Sequence, residues 1–286
     1  MVDSEALEPL ELRNVVGALA ECCRLEELRP EVRQLRGLAP LVLLLTAIDD
    51  SVLREVAAVL GRCSKERETA LAVDALDGVR LLWSLVRSVQ PATQRNAAQA
   101  LCPFIVHVKN SDHLVRSIVG GLDSIMELLD SPHTEVVEAA CEVIALIAMS
   151  ATNLNILTDY GVIPMLARFV DTEDRGLRRR LADAIGSCCH YKDNCLELGR
   201  LGVIPPLVGY LREGDVDTKR AAAGALRHLS TDAFNCITMH HHGVVPLLLH
   251  TIGSPDRPLQ EASAGCLRNI RKLALSADKR RRARRH

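Results

Sequence analysis

The chain has 286 residues, of which 48% are hydrophobic and 25% charged, with a formal net charge of -1. That balance excludes a disordered chain and gives no global attraction to nucleic acid or an anionic membrane surface, so charge-driven binding has to be local. Aromatic residues make up 2%, so the core must be built from Leu, Val, Ile and Ala, the residues of close helix-on-helix packing, and an all-α fold is expected.

The N-terminal stretch MVDSEALEPLELR is acidic and lacks the apolar core of a signal peptide, and the longest uncharged run, Gly37 to Ile48, is too short to span a bilayer. The expectation is a cytoplasmic or nuclear chain with reduced cysteines. Cys22, Cys63, Cys141, Cys188 and Cys266 fall at helical spacing among apolar residues and read as small buried thiols.

The first element, ELRNVVGALAECC over 11–23, predicts an amphipathic helix. Its A-x-A-L-like position returns down the chain at Leu19, Leu60, Leu101, Ile144, Ile185, Leu226 and Leu267, in steps of 41, 41, 43, 41, 41 and 41 residues. A glycine ahead of a second apolar run keeps similar time, at Gly37, Gly78, Gly121, Gly161, Gly202 and Gly243. Two rulers that agree define a tandem array, and a period near 41 belongs to helical repeats. The echo is plainest in YGVIPML, LGVIPPL and HGVVPLL, which start at Tyr160, Leu201 and His242.

Within each unit a short first helix turns sharply into a second at the glycine, where φ > 0 is expected. Pro40, Pro164, Pro205 and Pro246 follow three residues later, in a first helical turn that has no internal partner for the missing N–H. Polar loops such as SPHTE, TEDRG, EGDVD and SPDRP then lead into a longer third helix. The expected order is a partial repeat at 8–24, then repeats at 25–65, 66–108, 109–149, 150–190, 191–232 and 233–275, followed by a basic disordered tail at 276–286. The lone helix at 11–23 reads as the third of a unit whose first two precede it, so a longer protein, or a partner at that end, is expected.

Period, glycine, proline and small-residue pattern together resemble the armadillo family over residues 8–275. The implied fold is a right-handed armadillo-repeat solenoid of about six complete three-helix repeats plus a partial N-terminal one. Such arrays bind along the face formed by the third helices. Six residues before the ruler position stand Arg13, Arg54, Arg95, Glu138, Arg179, Arg220 and Glu261. The arginines could line a groove for an acidic strand or helix, each guanidinium holding a carboxylate through two hydrogen bonds; alternatively they form a solvated face paired with Glu55, Asp183 and other nearby acids. Nuclear import receptors of the same family clamp basic peptides with a Trp two before the ruler and an Asn two after it. Here only Asn269 fits, which argues against a receptor for basic signals.

Other chemistry is thin. His240 to His242 are consecutive and cannot all face one ion, and Cys188, Cys189, His190 and Cys195 lack CxxC spacing, so no metal is expected. Trp83 reads as core. There is no P-loop, Rossmann glycine pattern, HExxH or GxSxG, and neither an enzyme, a cofactor nor a small-molecule substrate is expected. The final KRRRARRH, Lys279 to His286, concentrates charge and reads as solvated disorder, a nuclear import signal, or a contact for acidic surfaces such as tubulin tails or RNA.

Several stretches go beyond the generic repeat: NVVGALAECC, LDGVRLLWSL, LVRSIVGGL, NCITMHHHGVV and GCLRNIRKLAL. They are similar to the C-terminal repeats of the armadillo subunits of the outer dynein arm docking complex of motile cilia. That resemblance implies a non-catalytic scaffold in the axoneme that helps coiled-coil partners anchor dynein arms to doublet microtubules. The alternative is an armadillo adaptor for nuclear or cytoplasmic signalling or transport, suggested by the basic tail.

Overall fold

The computed structural model describes residues 9–107 and 121–283, with side chains over 10–107 and 121–276. Among the described residues all regular structure is helical. They divide into two compact units, Met1–Val143 and Ile144–His286.

In the first unit, α1 (Pro9–Cys22) precedes a 3-10 turn at Glu26–Leu28. Then come α2 (Arg29–Gln34), α3 (Leu38–Leu44) and α4 (Asp50–Cys63), followed by α5 (Arg67–Ala75), α6 (Gly78–Leu85) and α7 (Pro91–His107). Helix α8 (Gly121–Leu128) follows, and the division between the units falls inside α9 (Thr134–Ile147). The second unit continues with α10 (Ala151–Asp159), α11 (Val162–Ala167), α12 (Arg175–Cys188), α13 (Lys192–Arg200), α14 (Ile204–Glu213), α15 (Val216–Leu229), α16 (Ala233–His241), α17 (Val244–Ile252) and α18 (Arg257–Ala283). The long helices stack in sequence: α1 on α4 and α4 on α7 in the first unit, α12 on α15 and α15 on α18 in the second.

Four of the long helices, α4, α12, α15 and α18, begin where an aspartate can satisfy a free N–H. Asp49 accepts from Ser51 N at 2.7 Å, Asp174 from Leu177 N at 2.8 Å, Asp215 from Thr218 N at 2.8 Å and Asp256 from Leu259 N at 2.8 Å. Along these helices the ruler residues Leu60, Leu101, Ile144, Ile185 and Leu226 are fully buried, as are the small residues Ala57, Ala98, Cys141, Ala182 and Ala223 three before them. Helix α1 departs from the expected register. Ala20 and, just past the helix end, Cys23 are buried, whereas Leu19 is half-buried and Cys22 exposed. The tandem cysteines conceal this slip in the sequence.

The turn glycines serve two purposes. Gly161, Gly202 and Gly243 take φ of 79°, 80° and 70°, as the sharp turn requires. In the first unit the left-handed residue stands one place earlier, at Arg36 and Asp77. Gly78 is needed there for another reason: a Cβ on it would lie 2.6 Å from Val73 Cγ1. Trp83 is core as expected, and its Nε1 donates to the Gly121 carbonyl at 3.3 Å.

A second series, not singled out from sequence, stitches the second unit. Asn153, Asn194 and Asn235 stand 41 residues apart in the first helices and are all buried. Asn194 Nδ2 donates to the Cys188 carbonyl at 3.1 Å and to Thr158 Oγ1 at 2.9 Å. Asn235 Nδ2 repeats the pattern with the Leu229 carbonyl at 3.2 Å and the Cys195 carbonyl at 2.9 Å. Each amide thereby joins the end of the preceding third helix to the first helix one repeat back. The close fit shows at Gly199, where a Cβ would lie 1.8 Å from Asn235 Oδ1.

Helix α18 has 27 residues against 14 in α4, α12 and α15. It runs to Ala283, into the stretch read from sequence as a disordered tail, because Leu, Ala, Lys and Arg all favour helix and no Gly or Pro intervenes after Gly265. The last three residues of the basic run, 284–286, lie outside the described residues.

Replacing Asn235 by Ala removes two buried hydrogen bonds between repeats, at a cost of about 1–3 kcal/mol. Urea unfolding should show the midpoint falling with the slope unchanged.

Candidate partner-binding face

The five arginines occupy one register of the long helices, but their surroundings divide them by unit. In the first unit, Arg13 on α1 donates to Asn14 Oδ1 at 3.3 Å. Arg95 on α7 donates from Nε and Nη2 to Asn96 Oδ1 at 3.2 and 3.1 Å. Both partners are neutral amides, so neither positive charge is met by an acid through these bonds. Arg54 on α4 pairs with its neighbour Glu55 at 2.9 Å on a partly exposed surface. Asn96 does double duty, because its Nδ2 donates to the Arg54 carbonyl at 3.0 Å and fixes α7 against α4.

In the second unit the arginines are already engaged. Arg179 on α12 reaches Asp217 Oδ2 at 3.2 Å, and Arg220 on α15 bonds Asp217 Oδ1 at 2.7 Å and Asp256 Oδ2 at 2.5 Å. The chain Arg179, Asp217, Arg220, Asp256 alternates in sign and neutralises itself. Bonds to Arg220 hold the Asp256 carboxyl below the usual carboxylate range, and Asp256 in turn raises the Arg220 guanidinium. Of the two sequence readings, paired acids describe Arg179 and Arg220, while the hydrogen bonds of Arg13 and Arg95 go to amides and Asp49 feels the charge of Arg13. The expected acid Glu55 does pair with Arg54, whereas Arg179 bonds Asp217 rather than Asp183.

Asp183 lies one turn beyond Arg179 on α12. Burial pushes its carboxyl pKa up, against the pull of Arg180, Arg179 and Arg220. Asn269 on α18 donates to the Arg227 carbonyl at 3.2 Å and to Ser230 Oγ at 3.0 Å, so its amide ties α18 to the end of α15. Nearby, the rings of His190 and His228 meet at 4.9 Å, and burial holds His228 below the ordinary histidine value. The two histidines sit at different offsets from the ruler, so the repeat pattern carried no signal for their contact.

Among the described residues no group of three or more His, Cys, Asp or Glu side chains is placed to hold a metal, and no helix is long and apolar enough to cross a membrane.

Stacked helix triplets with a polar face along the third helices define an armadillo-repeat fold. The armadillo/beta-catenin-like repeat family matches residues 192–231 and 237–272, about a quarter of the chain, and the fold is that of an all-α armadillo array. Solved structures agree on the fold. The designed armadillo repeat protein YIII(Dq)4CqI superposes with a TM-score of 0.69 at 19% identity, covering 82% of this chain and 99% of its own. A designed armadillo repeat protein in complex with the peptide (KR)4 gives 0.66 at 18% identity, covering 82% and 99%.

Among curated proteins, the chain is 44% identical over 129 residues to the armadillo repeat-containing protein gudu of Drosophila melanogaster, covering 45% of this chain and 19% of gudu. It is 47% identical over 111 residues to outer dynein arm-docking complex subunit 2 of Bos taurus, covering 39% of this chain and 11% of that subunit. The matched segments thus span a fifth or less of these longer relatives.

Because burial raises the Asp183 pKa in the folded state, the protonated carboxyl favours folding and a penalty accrues as pH rises through that value. Replacement of Asp183 by Asn should raise the melting temperature at pH 7, with the gain shrinking as pH is lowered into the carboxylate range. A thermal-shift series across pH would show it.

Proposed function

We propose that this chain is a non-catalytic scaffold that holds an acidic segment of a protein partner along the third-helix face of its first unit, and that it serves the docking of outer dynein arms in the ciliary axoneme. The observation that carries the binding face is that Arg13 and Arg95, on either side of Arg54 on helices that stack one on the next, hydrogen-bond neutral amides, with Asp49 drawing on Arg13 only through space. Packed helices lie about 8–10 Å apart. Carboxylates on one face of a partner helix recur at about 10.5 Å for i and i+7, and in a polyproline II segment at about 9.3 Å for i and i+3. Either geometry lets successive acids meet successive arginines. The Arg54–Glu55 pair is exposed enough to exchange at small cost, since surface pairs contribute about 0–1 kcal/mol.

The assignment to dynein-arm docking is supported by similarity to the bovine and mouse docking-complex subunits, each 47% identical over the matched segment. On this reading the partners are coiled-coil docking subunits and components of the arm or the doublet, reached without cofactor or small-molecule substrate. Two experiments test it.

Changing Arg13, Arg54 and Arg95 together to Glu should weaken binding of an acidic docking-partner segment by tenfold or more, about 1.4 kcal/mol, while leaving the helical circular dichroism and melting temperature near those of the wild type. Changing Arg179 and Arg220 should instead lower stability with less effect on binding. Unchanged affinity in the first variant would discard the arginine face. In ciliated cells, crosslinking mass spectrometry on axonemes should join this chain to coiled-coil docking proteins, and a diffuse signal without such crosslinks would remove the ciliary assignment.

A further inference from the structure

Cys23 lies in the turn after α1 and Cys63 ends α4; both are fully buried, and the Cys63 thiol donates to Cys23 Sγ at 3.5 Å. Two arginines converge on this contact. Arg29, itself buried, donates from Nε to the Cys23 carbonyl at 3.0 Å and from Nη2 to the Arg24 carbonyl at 3.2 Å, while its Nη1 meets the exposed Glu26. Arg62 Nη1 donates to the Ala20 carbonyl. The hydrogen bond from Cys63, helped by the charges of Arg62 and Arg29 and opposed by burial, brings the Cys23 pKa down to about 7. The same bond and burial push Cys63 up. The two thiols are therefore unequal: one provides a thiolate at neutral pH, and the other stays protonated beside it.

We propose that Cys23 and Cys63 are an oxidisable dithiol that a hydroperoxide closes into a disulfide joining α1 to α4. The Cys23 thiolate attacks one peroxide oxygen, the O–O bond breaks, and hydroxide leaves a sulfenic acid on Cys23. The Cys63 sulfur then attacks the Cys23 sulfur, the S–O bond breaks, and the second hydroxide departs with the Cys63 proton as water. Counting the proton that Cys23 releases, two thiols and one peroxide yield one disulfide and two waters. The sulfurs lose two electrons and the peroxide gains them.

Both thiols are fully buried, so peroxide must reach them through a local opening, and the turn that carries Cys23 is the exposed element beside them. Leu25 and Leu28, over that turn, are 57% and 39% exposed, and Cys22 beside it faces solvent. A second thiol pair, Cys189 and Cys195, provides the contrast. Cys189 bonds Cys195 and lowers its pKa, but the charge facing Cys195 is Asp232, which acts in the opposite direction. Closing the first pair would fix α1, which carries Arg13, to α4, which carries Arg54. The chemistry stands whether or not those arginines hold a partner.

The test uses the full chain treated with equimolar hydrogen peroxide at pH 7.4, alkylated under denaturing conditions and mapped by mass spectrometry. The expected product is a peptide joining Cys23 to Cys63, reversed by dithiothreitol, with Cys189 and Cys195 still alkylated. Hydrogen exchange of α1 amides should slow about tenfold in the oxidised protein, as local opening is suppressed. Cys22→Ser should retain the link. Cys63→Ser should lose it and accumulate a dimedone-reactive sulfenic acid at Cys23; if that variant does not fold, the wild-type map decides alone. Full alkylation of Cys23 and Cys63 after peroxide, or linkage through Cys22 or between Cys189 and Cys195 in its place, would overturn the proposal.

Discussion

Everything in this fold depends on how closely the long helices approach. Helix α4 comes so near α7 that a Cβ on Gly61 would lie 2.8 Å from Ala100 Cα, and at Gly186 on α12 a Cβ would meet Ala225 Cα of α15 at 3.4 Å. Only Gly and Ala allow that approach, which is why small residues recur at these interfaces and why aromatic residues are so few. Leu60, Leu101, Ile185 and Leu226 then fill the layer from the other side. With helices in such contact, a side chain at one register recurs at a set interval, and a row of like residues becomes a row in space.

That row is where the two units differ. In the second, acids at the starts of α15 and α18 reach back to the arginine of the helix before, and the face neutralises itself. In the first, Arg13 and Arg95 hydrogen-bond the amides beside them on their own helices, and Asp49 at the start of α4 draws on the charge of Arg13 without a hydrogen bond to it. A repeat array can thus carry one pattern of arginines and surround it differently in each unit.

Among the described residues, the stitching differs too. Buried asparagines at 194 and 235 bridge repeats of the second unit through their Nδ2 groups. Two repeats earlier than Asn153 the place is held by Thr69, also buried, whose hydroxyl bonds Glu66 Oε2 at 3.3 Å within its own repeat. At the start of the first unit, cohesion between α1 and α4 includes a hydrogen bond between two thiols. That contact is chemically changeable in a way an asparagine is not.

The sequence by itself determined the helical class, the period, the identity of the core positions from Leu60 to Leu226, and the first-turn prolines, because each follows from local spacing and from which residues a close-packed helix tolerates. The tertiary structure decided what spacing cannot express. The exchange of Cys22 for Cys23 in the core of α1 depends on which face meets α4, and neighbouring identical residues look the same to any pattern. The left-handed turn residue stands at Arg36 and Asp77 in the first unit, and the glycines that follow answer instead to the closeness of Val32 and Val73. Whether an arginine is spent on an aspartate or left to a partner depends on what stands opposite it some 40 residues away, since charge is cancelled by proximity in space.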